Sequence, residues 1–110
     1  LEEDAFKYFD IKFASPFMLF DAKLKTQKLP AITHIDNTSR PQTVNKDTGI
    51  VYDILMNLKD INGVSVCLNT SLNRPGEPIC ETPSDAINYF NNSKADYLVL
   101  DNYLINQSNM

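Results

Sequence analysis

Tryptophan is absent from this 110-residue chain, glycine occurs three times, cysteine twice and histidine once, and of ten basic side chains only Arg40 and Arg74 are arginines. Each scarcity excludes something. Two cysteines allow one bridge at most, and Cys67 lies inside the apolar run Val64–Leu68, where a reduced thiol behaves as a small hydrophobe. Without a Cys-x-x-Cys pair or a histidine cluster, the chain has no pattern for a metal or redox centre. Two arginines against a net charge of −4 are poor material for a groove that tracks a nucleic-acid backbone. No apolar run approaches the roughly 20 residues of a membrane-spanning helix, and the first residues lack a basic-then-apolar signal region. The expectation is a soluble, cytoplasmic protein with neither nucleic acid nor membrane as partner. There is also no Walker loop, no glycine-rich dinucleotide loop and no serine or cysteine in a nucleophile elbow.

What is present suits a globular fold: 43% hydrophobic residues, 22% charged, and a length that reads as one domain over 1–110. The opening Leu1-Glu2-Glu3-Asp4 starts an acidic helical stretch and reads as the middle of a longer polypeptide. Residues 2–9 predict a short helix with Ala5, Phe6 and Phe9 near one face. The apolar run Phe17–Phe20 and the segment Ala31–Ile35 read as strands. Tyr8 and the phenylalanines at 6, 9, 17 and 20 are most simply core.

From Val51 the apolar positions Val51, Ile54, Leu55, Leu58 and Ile61 keep helical spacing, with Asp47 or Thr48 as cap and Gly63 just beyond the end. Val64–Leu68 follows as a strand covered on both faces. Thr82-Pro83-Ser84-Asp85 supplies a cap, a proline at the first helical position and an acid three residues after the cap, so a helix carrying Ala86, Ile87, Tyr89 and Phe90 is expected. Tyr97–Leu100 reads as another strand. Alternating helices and strands imply an α/β fold, a partial twisted open sheet with covering helices and right-handed crossovers, whose loops gather at the strand ends.

Two polar loops leave such strand ends: Asp36 to Thr43 and Asn69 to Glu77. Both arginines lie in them. Guanidinium groups among Ser, Thr and Asn side chains, with a glycine allowing close backbone approach, form the donor set a phosphate or carboxylate needs. Polar surface loops would look the same. His34 reads either as a structural strand histidine or as a ligand or acid/base group, with Asp36 placed to orient it. Asp85 reads as a helix cap.

The segments Ser15–Leu19, Pro30–Val44, Leu68–Asn73, Gly76–Ile79 and Thr82–Ala86 together resemble, in order, the C-terminal domain of nodulation-type O-carbamoyltransferases. The stretch Thr70–Pro78 also resembles the Ser-x-Asn-x-x-Gly loop of threonylcarbamoyl-AMP synthases, to whose fold that domain is related. The resemblance implies a two-domain enzyme that joins carbamoyl phosphate and ATP, with magnesium, into carbamoyl-adenylate. A metal-bearing N-terminal domain would then pass the carbamoyl group to an acceptor hydroxyl. It implies that Arg40 and Arg74 balance phosphate charge and that Asn69, Thr70, Ser71, Asn73 and the Gly76 backbone hold phosphate or carbamoyl oxygens. His34, Asp36 and Thr38 would shape the same pocket, with Arg40 and Ser71 closest to the chemistry. Asn37 stands where the family usually has glycine, a substitution that a left-handed backbone tolerates. The family's domain begins further upstream with additional basic residues, so the resemblance implies that this segment alone is inactive.

Overall fold

A computed structural model describes residues 1–107 and divides the chain into two compact units, 1–68 and 69–110. In the first unit, a 3-10 turn at Glu2–Asp4 runs into α1 (Ala5–Tyr8), which buries Ala5 and the following Phe9 and leaves Phe6 exposed. β1 (Ala22–Lys23) pairs antiparallel with β2 (Thr38–Ser39), and a bridge joins Phe9 to Leu24. Ala5, Phe9, Ile11, Ala22 and Leu24 form one small core. A second core, of Leu1, Val44 and Leu55, sits under α2 (Ile50–Asn62) with Tyr52, Met56 and Leu58 packed against it.

The helix α2 ends where glycine spacing demanded, at Gly63 with φ 78°. Its start differs from expectation: Asp47 and Thr48 belong to a separate 3-10 turn capped by Asn45, and Gly49 at φ 67° is the N-cap. A backbone reversal between the two turns needs that positive φ, which glycine adopts without a Cβ clash. Helical spacing also puts Ile50, Ile54 and Ile61 on a stripe that remains exposed.

In the second unit, α3 (Pro83–Asn91) has the cap read from the sequence, since the Asp85 amide donates to Thr82 Oγ1 at 3.2 Å and the Thr82 amide to Asp85 Oδ2 at 3.0 Å. The Thr82 hydroxyl also donates to Asp85 Oδ2, at 2.7 Å. This bond first, and then those from the Thr82 and Glu81 amides, hold the Asp85 carboxyl below the usual range. Replacing Thr82 with Ala is expected to cost about 1 kcal/mol of stability. A lower urea midpoint with unchanged secondary structure would show it.

Helix α3 packs Ala86 and Phe90 onto Leu98 of the hairpin formed by β3 (Tyr97–Leu100) and β4 (Tyr103–Asn106), leaving Ile87 exposed. The hairpin's other face carries Tyr97, Val99 and Leu104, which are 60–67% exposed. Both faces are thus apolar, but one is covered. No helix among the described residues is long and apolar enough to cross a membrane.

Three expected strands are corrected. Phe17–Phe20 forms turns and bends, with Met18 at φ 54°; Phe17 is exposed, and Phe20 meets Phe13 edge-on at 5.2 Å. Ala31–Ile35 opens as a 3-10 turn led by Pro30, whose missing N–H cannot serve a ladder, and leaves Ile35 fully exposed. Val64–Leu68 is irregular, with Ser65 buried and Cys67 and Leu68 exposed. Without those strands no open sheet with parallel crossovers is present among the described residues. The described residues hold an α/β arrangement of two two-stranded antiparallel sheets.

Candidate functional site

The residues singled out in the sequence fall into two sets, one in each unit. His34, Asp36, Thr38 and Arg40 lie in the first; Asn69, Thr70, Ser71, Asn73, Arg74 and Gly76 lie in the second.

In the first set a tight turn replaces the strand expected at His34. The Asn37 amide donates to the His34 carbonyl at 3.0 Å, the His34 amide to the Thr38 carbonyl at 2.8 Å, and Asn37 takes φ 62°. This is the left-handed conformation for which asparagine is a workable substitute for glycine. The turn is tied to β1's end by the Leu24 amide to the Asn37 carbonyl at 3.0 Å and by Asn37 Nδ2 to the Leu24 carbonyl at 3.2 Å.

Within it, Thr38 is the mediator. Its hydroxyl and its amide donate to Asp36 Oδ1 at 2.6 and 3.0 Å, and His34 Nδ1 lies 3.2 Å from the same hydroxyl. Those donors, the hydroxyl first, hold the Asp36 carboxyl below its usual range. Asp36 reaches His34 through Thr38 in place of the direct imidazole–carboxylate pair expected from a strand.

Arg40 follows as an exposed side chain that makes no ion pair among the described residues. Its position is fixed from behind. The Ser15 hydroxyl donates to the Pro41 carbonyl at 3.1 Å, and the Ser15 and Thr43 backbones exchange bonds at 2.8 and 2.9 Å through Thr43 Oγ1 and the Ser15 carbonyl. An anchored backbone carrying an unpaired guanidinium can receive an anion without first breaking an internal pair.

In the second set the loop folds on itself. Pro75 and Gly76 occupy the centre of a turn closed by the Glu77 amide to the Arg74 carbonyl at 3.0 Å, with Gly76 at φ 82°, the signature of a type II turn. Asn73 Nδ2 donates to both the Arg74 and the Glu77 carbonyls, at 3.2 and 2.9 Å, while its Oδ1 accepts from the Ser71 hydroxyl. The Thr70 hydroxyl donates to the Ser71 carbonyl at 2.9 Å. Ser71, Asn73, Arg74 and Gly76 are therefore brought together.

Glu77 was not among the residues expected at the site. Its carboxylate takes a two-pronged contact from Arg74, Nε to Oε2 at 3.0 Å and Nη2 to Oε1 at 2.8 Å. The available signal was its spacing, three residues from an arginine across a Pro-Gly turn. Beside it an open recess of about 340 Å³ is lined by Glu77, Glu81, Asp85, Asn88 and Tyr89 among others. Three carboxylates and no cation give it the wrong sign for phosphate.

A second residue the sequence reading passed over is Asp4. It is 2% exposed and receives Lys7 Nζ at 2.6 Å, Lys59 Nζ at 2.7 Å and the Ser65 hydroxyl at 2.8 Å. Burial alone would push this carboxyl up, but the bonds from Lys59, Lys7 and Ser65 outweigh it and hold the group well below the usual carboxylate range.

Comparison with known proteins identifies the class. The family described as "Carbamoyltransferase C-terminus" matches residues 1–107, and the chain belongs to it. Among relatives, an uncharacterized protein of Methanocaldococcus jannaschii is 44% identical over 97 residues, covering 84% of this chain and 19% of its own. Nodulation protein NolO of Bradyrhizobium diazoefficiens is 38% identical over 112 aligned positions, 96% of this chain and 20% of that protein. The 3'-hydroxymethylcephem-O-carbamoyltransferase of Amycolatopsis lactamdurans is 37% identical over 90 residues, 79% of this chain and 17% of that enzyme. The chain spans about a fifth of the length of the relatives it matches.

Proposed function

We propose that this chain is part of an O-carbamoyltransferase, in the region that forms carbamoyl-adenylate from carbamoyl phosphate and ATP, consuming one water and releasing phosphate and pyrophosphate. A separate N-terminal domain of the same protein then delivers the carbamoyl group to an acceptor hydroxyl. The observation that carries the reading is family membership over residues 1–107, joined to a folded loop that gathers Ser71, Asn73, Arg74 and Gly76.

The residues present fit phosphate groups. Arg40 offers a guanidinium with no ion pair among the described residues, and Arg74 a second guanidinium that is paired with Glu77. Thr70 and Ser71 offer exposed hydroxyls, now donated to the Ser71 carbonyl and Asn73 Oδ1. ATP supplies the adenylyl group and a pyrophosphate leaving group. The chain's own part is to place oxygens and balance charge, which is what transfer between phosphates chiefly requires. In the second unit Asn69 and the Gly76 backbone hold phosphate or carbamoyl oxygens, and in the first His34, Asp36 and Thr38 orient one another beside Arg40. Magnesium would enter with the ATP phosphates, and the metal of the whole enzyme belongs to the N-terminal domain.

The test is pyrophosphate release by the full-length protein with ATP, with and without carbamoyl phosphate. Release that requires carbamoyl phosphate is the expected result. Release independent of carbamoyl phosphate would mean ATP cleavage of another kind and overturn the reading. No release from a folded protein would select a second reading, a non-catalytic binding or assembly module, which is favoured by the exposed apolar residues Ile50, Ile54, Ile61, Tyr97, Val99 and Leu104.

A further inference from the structure

The Arg74–Glu77 pair differs from the other ion pairs among the described residues. Those involve lysines, which act as point charges, whereas here two guanidinium nitrogens meet two oxygens of one carboxylate, at 3.0 and 2.8 Å. A planar fork of this kind fits carboxylate and phosphate equally, because both present paired oxygens on a single atom.

The pair is also built independently of any ligand. The type II turn sets the two residues three apart, and Asn73 Nδ2 clasps both of their carbonyls, so the turn stays closed if the carboxylate swings away. Both side chains are 39–47% exposed, which leaves the fork reachable from solvent. The Glu77 carboxylate therefore occupies the place on Arg74 that a phosphoryl group would take.

We propose that Glu77 is a built-in competitor for the Arg74 fork, so that an anion of higher charge such as pyrophosphate or a phosphoryl dianion displaces it, while a monovalent carboxylate does not. This rests on the reading of loop 69–77 as a phosphate site. An internal carboxylate held beside the fork binds as if at high concentration, and only an anion with more charge or more donors to meet it competes. Glu77 thereby sets a charge threshold for the ligand, and its removal lowers that threshold.

The test is calorimetric titration of inorganic pyrophosphate into the full-length protein and its Glu77→Gln, Arg74→Ala and double variants. Glutamine preserves the backbone bonds of the turn. Glu77→Gln is expected to tighten pyrophosphate roughly two- to fivefold, the range for freeing Arg74 from one exposed charge pair. Arg74→Ala is expected to weaken it, and in that background Glu77→Gln changes nothing. Circular dichroism establishes that each variant is folded, and Glu77→Asp, too short to span the fork, gives a smaller tightening should the glutamine variant not fold.

If Glu77→Gln leaves affinity unchanged while Arg74→Ala weakens it, the competitor is disproved and the phosphate site stands. Equal tightening with and without Arg74 would mean general charge, not the fork, and also overturns the proposal. If Arg74→Ala, Arg40→Ala and Ser71→Ala all bind pyrophosphate like the parent, the functional reading itself fails.

Discussion

If the proposed function holds, Arg40→Ala and Ser71→Ala in the full-length protein are each expected to lower carbamoyl-phosphate-dependent pyrophosphate release by roughly 10²–10³-fold, the loss typical of removing one donor aimed at developing charge. The two residues act differently. Arg40 is exposed, unpaired among the described residues and held by the Ser15–Pro41–Thr43 bonds behind it, so truncation removes a charge without disturbing packing. Ser71 points its hydroxyl at Asn73 Oδ1, and Asn73 in turn holds the turn at residues 74–77 closed. A hydroxyl lost there removes a donor and loosens the loop. Ser71→Thr keeps the hydroxyl and is expected to recover most of the rate, which separates its chemistry from side-chain volume. Parental turnover in both alanine variants would remove these residues from the site.

Asp4→Ala is expected to destabilise the protein by about 2–4 kcal/mol, because it removes a buried carboxylate together with its three charge-assisted bonds and leaves the Ser65 hydroxyl without its acceptor. The lysines limit the damage, since Lys7 and Lys59 both reach solvent and can turn outward. The pH dependence has a definite sign. The folded carboxyl is held below the value it takes in the unfolded chain, so the unfolded state binds the proton first as pH falls. The contribution is complete at neutral pH and is lost progressively below about pH 4, where an unfolded aspartate titrates. Urea unfolding at pH 7 and pH 3 should show the wild type converging on the variant in acid. A gap that stays constant across that range would assign the effect to packing.

The elements legible in the sequence were those whose own residues decide them. The α2 stripe carries helical spacing and ends at Gly63, and Thr82, Pro83 and Asp85 fix the start of α3 by bonds within four residues. Tyr97–Leu100 formed its strand because a two-residue turn returns a partner at once, Leu100 facing Tyr103. The runs at 17–20, 31–35 and 64–68 were equally apolar, but a ladder needs a distant partner, and local preferences prevailed. Pro30 started a 3-10 turn and Asn37 a left-handed reversal.

Site residues followed the same division. The asparagine at position 37 reads as a glycine substitute through the family resemblance, and its left-handed backbone, φ 62°, fits that reading. The Thr38 bridge between Asp36 and His34 depended on a turn where a strand was expected. Asp4 could not be read at all, because its partners Lys59 and Ser65 lie 55 and 61 residues away. Glu77 was visible as a neighbour of Arg74, but nothing in the spacing distinguishes a partner for arginine from a bystander.

The hairpin that is apolar on both sides has a thermal consequence. Water ordered over Tyr97, Val99 and Leu104 raises the heat capacity of the uncovered protein. Closing that face against another apolar surface therefore lowers heat capacity, and the association weakens on cooling. A protein assembled through it would be held together more firmly at growth temperature than on ice.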